Sequence, residues 1–172
     1  MQKFLKKHII PVLNNIETSQ QTAAVENISF RLQRICKEYK SILERLVPNK
    51  GDWETINEKP ISKLNKEVCL DIFKTEQYYY LEASGDTIRL SIKNGFWQDH
   101  FKDGTYSKLK FHWISDCEFE IEFVESNNRI RKNLSKPGDK YRYQFLEKGR
   151  SYYKLSVEVV GANQFSTFKL YY

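Results

Sequence analysis

Residues 105–123 read TYSKLKFHWISDCEFEIEF, an alternation of apolar and charged side chains that describes a β-hairpin with one dry face and one wet face. Leu109, Phe111, Trp113, Cys117, Phe119, Ile121 and Phe123 share one side, while Lys108, Lys110, His112, Glu118, Glu120 and Glu122 share the other. A slip of one residue would turn every Glu toward the core, so the facing is firmly specified. A three-residue loop at Ile114, Ser115 and Asp116 is expected. It pairs Trp113 with Cys117, Phe111 with Phe119 and Leu109 with Ile121, and sets His112, Lys110 and Lys108 against Glu118, Glu120 and Glu122. Basic partners across the strands give these carboxylates a structural role in place of a metal site.

Working outward, the chain continues as short strands joined by tight turns. Tyr79 and Leu81 are expected to face Leu90 and Ile92 across a Gly85-Asp86 turn. Residues 96–101 lead through Asp103-Gly104 into the central hairpin, and a long loop covers residues 126–139. Residues 140–147 and 151–159 form another hairpin around Lys148, Gly149 and Arg150, pairing Phe145 with Tyr153, Tyr143 with Leu155, Tyr141 with Val157 and Lys140 with Glu158. Gly161, Ala162 and Asn163 then turn into a last strand. About eight strands in simple succession make an antiparallel up-and-down meander, which curls or closes into a barrel.

The first part of the chain has different physics. Of 25 aromatic residues only Phe4, Phe30, Tyr39 and Trp53 precede residue 73. Val25, Ile28, Leu32, Ile35, Tyr39, Ile42 and Leu46 recur at steps of three and four, a helical stripe stopped by Pro48 and Gly51. An earlier helix from Pro11 to Ile16 would present Leu5, Ile9, Val12 and Ile16, and a short helix beginning near Pro60 would present Leu64, Val68 and Ile72. The fold class is therefore α+β, with a helical segment over residues 1–73 and the meander over residues 74–172. The stripe suits packing on its own domain better than a coiled-coil dimer, so a monomer is expected.

The 172 residues carry a net charge of +6, divided evenly as +3 before residue 61 and +3 after it. A dedicated nucleic-acid binder concentrates its cations on one element. No run of residues has the length of a transmembrane segment, and the apolar stretch after the basic start is short and holds Pro11. As written, a cytoplasmic protein is expected. Cys36, Cys69 and Cys117 lack metal-ligand spacing, so no zinc and no cofactor is expected.

The Cys69-to-Thr75 stretch CLDIFKT, Tyr78-Tyr79-Tyr80, Gly104-Thr105-Tyr106 and the Trp113-to-Phe119 element WISDCEF together resemble a bacterial lipocalin-like β-meander family of small secreted and lipoprotein-type proteins. The resemblance covers about residues 67–172 and implies a non-catalytic binding fold. Members carry a signal peptide and a lipobox Cys, which this chain does not show; with such a leader the cell envelope would be implied. The resemblance also implies that Cys69 and Cys117 form a disulfide, the alternative being two buried thiols.

Three functions remain to be weighed. An inward aromatic set of Tyr79, Phe111, Trp113, Phe119, Tyr143 and Tyr153 would either hold an apolar small molecule or simply fill the barrel. Arg129, Arg131, Lys132, Lys136, Lys140 and Arg142 with Tyr141 would suit a basic nucleic-acid binder, a reading weakened because the register turns Tyr141 and Tyr143 away from Arg142. His100 beside Asp99 and Asp103 would suit a hydrolase, although alternate strand residues point apart. The favoured expectation is a binding or interaction module whose partner is an apolar small molecule or a protein.

Overall fold

The computed structural model describes residues 7, 10–46, 48–75 and 77–172. Among the described residues three α-helices come first: α1 (Ile10–Asn14), α2 (Thr18–Ile35) and α3 (Lys37–Leu46). A short strand β1 (Glu54–Ile56) precedes α4 (Lys66–Leu70) and a 3₁₀ turn (Asp71–Lys74). The meander is β2 (Gln77–Leu81), β3 (Thr87–Lys93), β4 (Phe96–His100), β5 (Tyr106–Ser115), β6 (Glu118–Ser126), helix α5 (Arg129–Leu134), β7 (Lys140–Lys148), β8 (Tyr152–Val159) and β9 (Gln164–Tyr171). Among the described residues nine strands form one sheet; β2 to β9 close into an eight-stranded antiparallel barrel and β1 adds an extra strand beside β9. Leu5, Ile9 and His8 lie outside the described residues, and among those described no helix is long and apolar enough to cross a membrane.

Up-and-down connectivity puts the loops at 82–86, 101–105, 127–139 and 160–163 at one end, here the upper, and the turns at 94–95, 116–117 and 149–151 at the lower. The lower end is plugged by α4. Its N-cap Asn65 accepts a hydrogen bond from the Val68 amide at 3.1 Å, and the helix delivers Cys69 to a disulfide with Cys117, the Cα atoms 5.4 Å apart. Ile72 is buried there, and Phe73 sets its ring edge-on to Phe111 and Trp113 at 5.8 and 5.9 Å.

The upper end is roofed by helices. The Asn128 carboxamide oxygen accepts from the amides of Ile130 and Arg131, capping α5, while its nitrogen donates to Thr105 Oγ1 at 2.8 Å. α2 lies against α5 and is fixed by ion pairs from Arg31 and Arg34 to Asp139 at 2.9 and 3.1 Å, with the Arg34 guanidinium 4.7 Å from the Tyr141 ring centre. The expected continuous stripe is interrupted at Cys36, whose backbone is extended (φ −111°, ψ 107°). The interruption turns α3 over the mouth, where Lys40 Nζ donates to Ser166 Oγ at 3.0 Å, and it leaves Ile35 and Leu46 exposed.

Hairpin facing agrees with the alternation, but partners differ. Trp113 pairs with Phe119, Phe111 with Ile121 and Leu109 with Phe123, while His112 and Lys110 oppose Glu120 and Glu122. Likewise Phe145 pairs with Leu155, Tyr143 with Val157, Tyr141 with Val159 and Arg142 with Glu158. Both registers are displaced by two residues from the expected ones. Such a shift keeps every side chain on its face, so the alternation cannot select against it. Bulges near Ile114 and Leu146, with Asp116-Cys117 as the turn, make the difference.

The β2–β3 hairpin corrects the expectation more deeply. Tyr78 and Tyr80 face the core opposite Leu90 and Ile88, while Tyr79 is 41% exposed and stacks on Tyr171 at 5.0 Å. Three successive tyrosines carry no alternation from which to choose a face. The loop is also longer than two residues: Glu82 and Asp86 bracket it, and Gly85 takes φ +90°.

Closure is uneven. Among the described residues β2 and β9 share one registered pair, Tyr79 with Tyr171, and the rest of that edge of β9 pairs with β1 from Glu54 to Ile56. Trp53 fills the wedge, stacking on Phe168 at 4.5 Å and donating its indole N–H to the Leu81 carbonyl at 2.7 Å.

Candidate functional site: the upper barrel cavity

The barrel interior divides into a filled half and a hollow half. Below, the rings of Phe111, Trp113, Phe119, Phe145 and Tyr153 interlock, with Phe111–Phe119 centroids at 4.7 Å and Phe145–Tyr153 at 5.2 Å. Trp97 and Tyr143, 5.4 Å apart and both against Phe119, make the floor of the hollow half. Above them lies a cavity of about 640 Å³. Its walls are mainly apolar, from Trp53, Leu109, Ile121, Val157 and Phe168, and α3 leans over it with Lys40 and Leu43.

Of the six aromatic residues expected to contact ligand, Tyr143 lines this cavity. Phe111, Trp113, Phe119 and Tyr153 belong to the filled half, because large rings facing one another across a narrow barrel exhaust the space between them. Tyr79 lies outside, as its strand parity requires.

Two polar groups of side chains sit on the wall. One gathers where β2, β4 and α5 meet. Asp99 is buried and accepts a hydrogen bond from Trp97 Nε1 at 3.0 Å, with the Tyr80 hydroxyl also against it. Burial pushes the Asp99 carboxyl up to about 6, although the Arg131 charge and the Trp97 hydrogen bond work the other way. Arg131 reaches in from the capped α5, ion-paired with Glu82 and 5.4 Å from the Phe101 ring centre. Burial opposes its charge, yet Glu82 above all and then Asp99 hold the guanidinium firmly protonated. Burial likewise raises the Tyr80 and Tyr143 hydroxyls far out of reach of ionisation.

The second group comes from β9 and α3. Ser166 accepts the Lys40 hydrogen bond, and burial lowers the Lys40 ammonium, with Glu44 at 3.9 Å partly compensating. Two residues earlier on the same face is Gln164, 6% exposed, whose Nε2 and Oε1 make no hydrogen bond among the described residues.

The remaining candidates are not assembled into sites. His100 points outward with Nε2 3.4 Å from Ser91 Oγ, Asp99 points inward, and Asp103 accepts from the amide and hydroxyl of Thr105. Arg129 pairs with Glu26 at 2.6 Å, and Lys140 and Arg142 both pair with the outer-face carboxylate of Glu120 at 2.8 and 3.1 Å. Burial would raise Glu120, but these two cations outweigh it and hold the carboxyl low. Four of the six cations that suggested a nucleic-acid face, Arg129, Arg131, Lys140 and Arg142, are thus engaged with acidic neighbours. Among the described residues there is no cluster of His, Cys, Asp and Glu able to hold a metal ion.

No protein-family model matches the chain. It is similar to the exoenzymes regulatory protein AepA of Pectobacterium carotovorum subsp. carotovorum, 24% identical over 110 residues, which are 64% of this chain. The match spans 23% of that protein's length.

Proposed function

We propose that this protein is a non-catalytic binding module that takes a small, mainly apolar molecule into the upper half of its barrel. The observation that carries the proposal is the cavity of about 640 Å³, apolar over most of its wall and furnished with a few buried polar groups. Ligand pockets have this composition and size, commonly about 300–1,000 Å³. The separation of His100 from Asp99 supports a binding role over hydrolysis, and the ion-paired cations favour a small molecule over a nucleic acid. A regulatory protein, as the name AepA describes its bearer, is one place where a ligand-sensing part would serve.

Native mass spectrometry of the protein, before and after incubation with medium-chain apolar compounds, tests the reading. A bound mass that leaves on denaturation is expected. Val157→Phe, which grows into the cavity, should weaken binding by about tenfold or more with the fold retained, because the ligand's space is taken. Phe145→Ala, deeper in the filled half, should cost about 3–5 kcal/mol of stability while leaving affinity within about twofold. Binding unaffected by Val157→Phe would sink the assignment to this cavity.

A further inference from the structure

The chemical class of the ligand's polar end follows from which cavity groups are already satisfied; this rests on the binding reading above. Arg131 is matched by Glu82, Lys40 by Ser166 and Glu44, and Asp99 by Trp97 and Tyr80. Among the described residues each of these cavity groups thus already has a partner within the protein. Gln164 differs. Among the described residues, the buried side-chain N and O atoms without a hydrogen-bond partner belong to Arg34, Trp113, Gln144 and Gln164, and of these residues only Gln164 lines the cavity; its two amide atoms are sealed in the present rotamer, so a bound molecule meets them when that side chain turns into the cavity.

A primary carboxamide offers a donor and an acceptor side by side in one plane. Leaving both unmatched in an apolar enclosure is costly, and a partner with the complementary donor–acceptor edge relieves both at once. We infer that Gln164 is a ligand-recognition residue and that the cavity selects an uncharged molecule with an apolar body and an amide-type head, a carboxamide or lactam, paired edge to edge with the Gln164 side chain. A carboxylate supplies acceptors only and leaves Gln164 Oε1 unpaired; an ammonium supplies donors only and leaves Nε2 unpaired. Gln164 stands at the first position of β9, beside the upper mouth, while Phe168 lies further down the same face. The head would thus sit near the roof with the apolar body reaching toward Trp97 and Tyr143.

The experiment is calorimetric titration of the full chain at pH 8 with octanamide, octanoate, octylamine and octanol, on wild type, Gln164→Leu and Gln164→Met. Wild type should bind octanamide at least about tenfold more tightly than octanoate or octylamine, since a site built around a hydrogen-bonding group discriminates strongly against analogues that leave it unpaired. Both variants should lose that preference and keep octanol affinity within about threefold. Two variants guard against a local packing defect in either one, and circular dichroism verifies that each is folded. A preference for octanoate, or an amide preference that survives both substitutions, overturns the inference while leaving the binding reading in place. If none of the four compounds binds wild type, the binding reading fails and takes the inference with it.

Discussion

Asp99 is a buried carboxyl whose surroundings differ sharply from those of a free side chain. Its position was open to reading: β4 alternates, so the carboxylate two residues after Trp97 shares the inner face with it. Ser107, Gln164 and Ser166 follow by the same parity from Leu109 and Phe168, and together they mark the upper interior as polar. Arg131 was not legible in this way, because its approach depends on the Asn128 cap and the docking of α5 over the mouth, a tertiary arrangement with no periodic trace. The folded Asp99 titrates at about 6 against an ordinary value of 3.8. Between those two pH values the folded chain retains a proton that the unfolded chain has released, so this group's contribution to stability falls as pH rises through the window and levels off above it. Asp99→Asn should remove that component. Unfolding free energies from urea titrations at pH 4.5 and pH 7.5 should differ less in the variant, by about 2 kcal/mol. An unchanged difference would mean that Asp99 titrates normally.

At the scale of elements, β3 to β9 were well specified in existence and facing but not always in partner, whereas β1 was not foreseen and β2 faces the opposite way from the expectation. Two-residue register shifts in β5–β6 and β7–β8 keep Phe119 and Tyr143 buried, so the energy that would distinguish the alternatives resides in turns and bulges instead of in the alternation. The N-terminal helices were legible as helices, but α5 falls where a loop was expected over residues 126–139, and the break at Cys36 left no trace, since a stripe spaced by threes and fours does not record the extended backbone between Ile35 and Lys37. Helix α4 is short and depends on its tether. Replacing Cys69 and Cys117 together by Ala removes the closure of a 48-residue loop, a loss of about 4 kcal/mol. The cavity lies at the opposite end, so chemical denaturation should show the weaker fold while ligand affinity stays within about twofold. Affinity that collapses with the disulfide would show the two ends to be coupled.

At the scale of the molecule, the barrel is strongest across β5 to β8 and weakest where β2 meets β9. The single Tyr79–Tyr171 pair, among the described residues, and the Trp53 wedge hold that seam. Amides of β2 and of the β1–β9 pairing should exchange with deuterium at least about tenfold faster than those of β6 and β7, as low local contact leads one to expect. Equal protection around the ring would refute an uneven closure. The extra strand also means that Glu54 to Ile56, early in the chain, form part of the wall, together with the α4 plug at its lower end. The bond from Cys69 to Cys117 has a topological corollary. It makes a covalent circle that contains β2, β3, β4 and β5 entire. A protease that severs an exposed turn within the circle, such as Ser84-Gly85, therefore leaves a single molecule with two new ends. Its fragments part only after reduction.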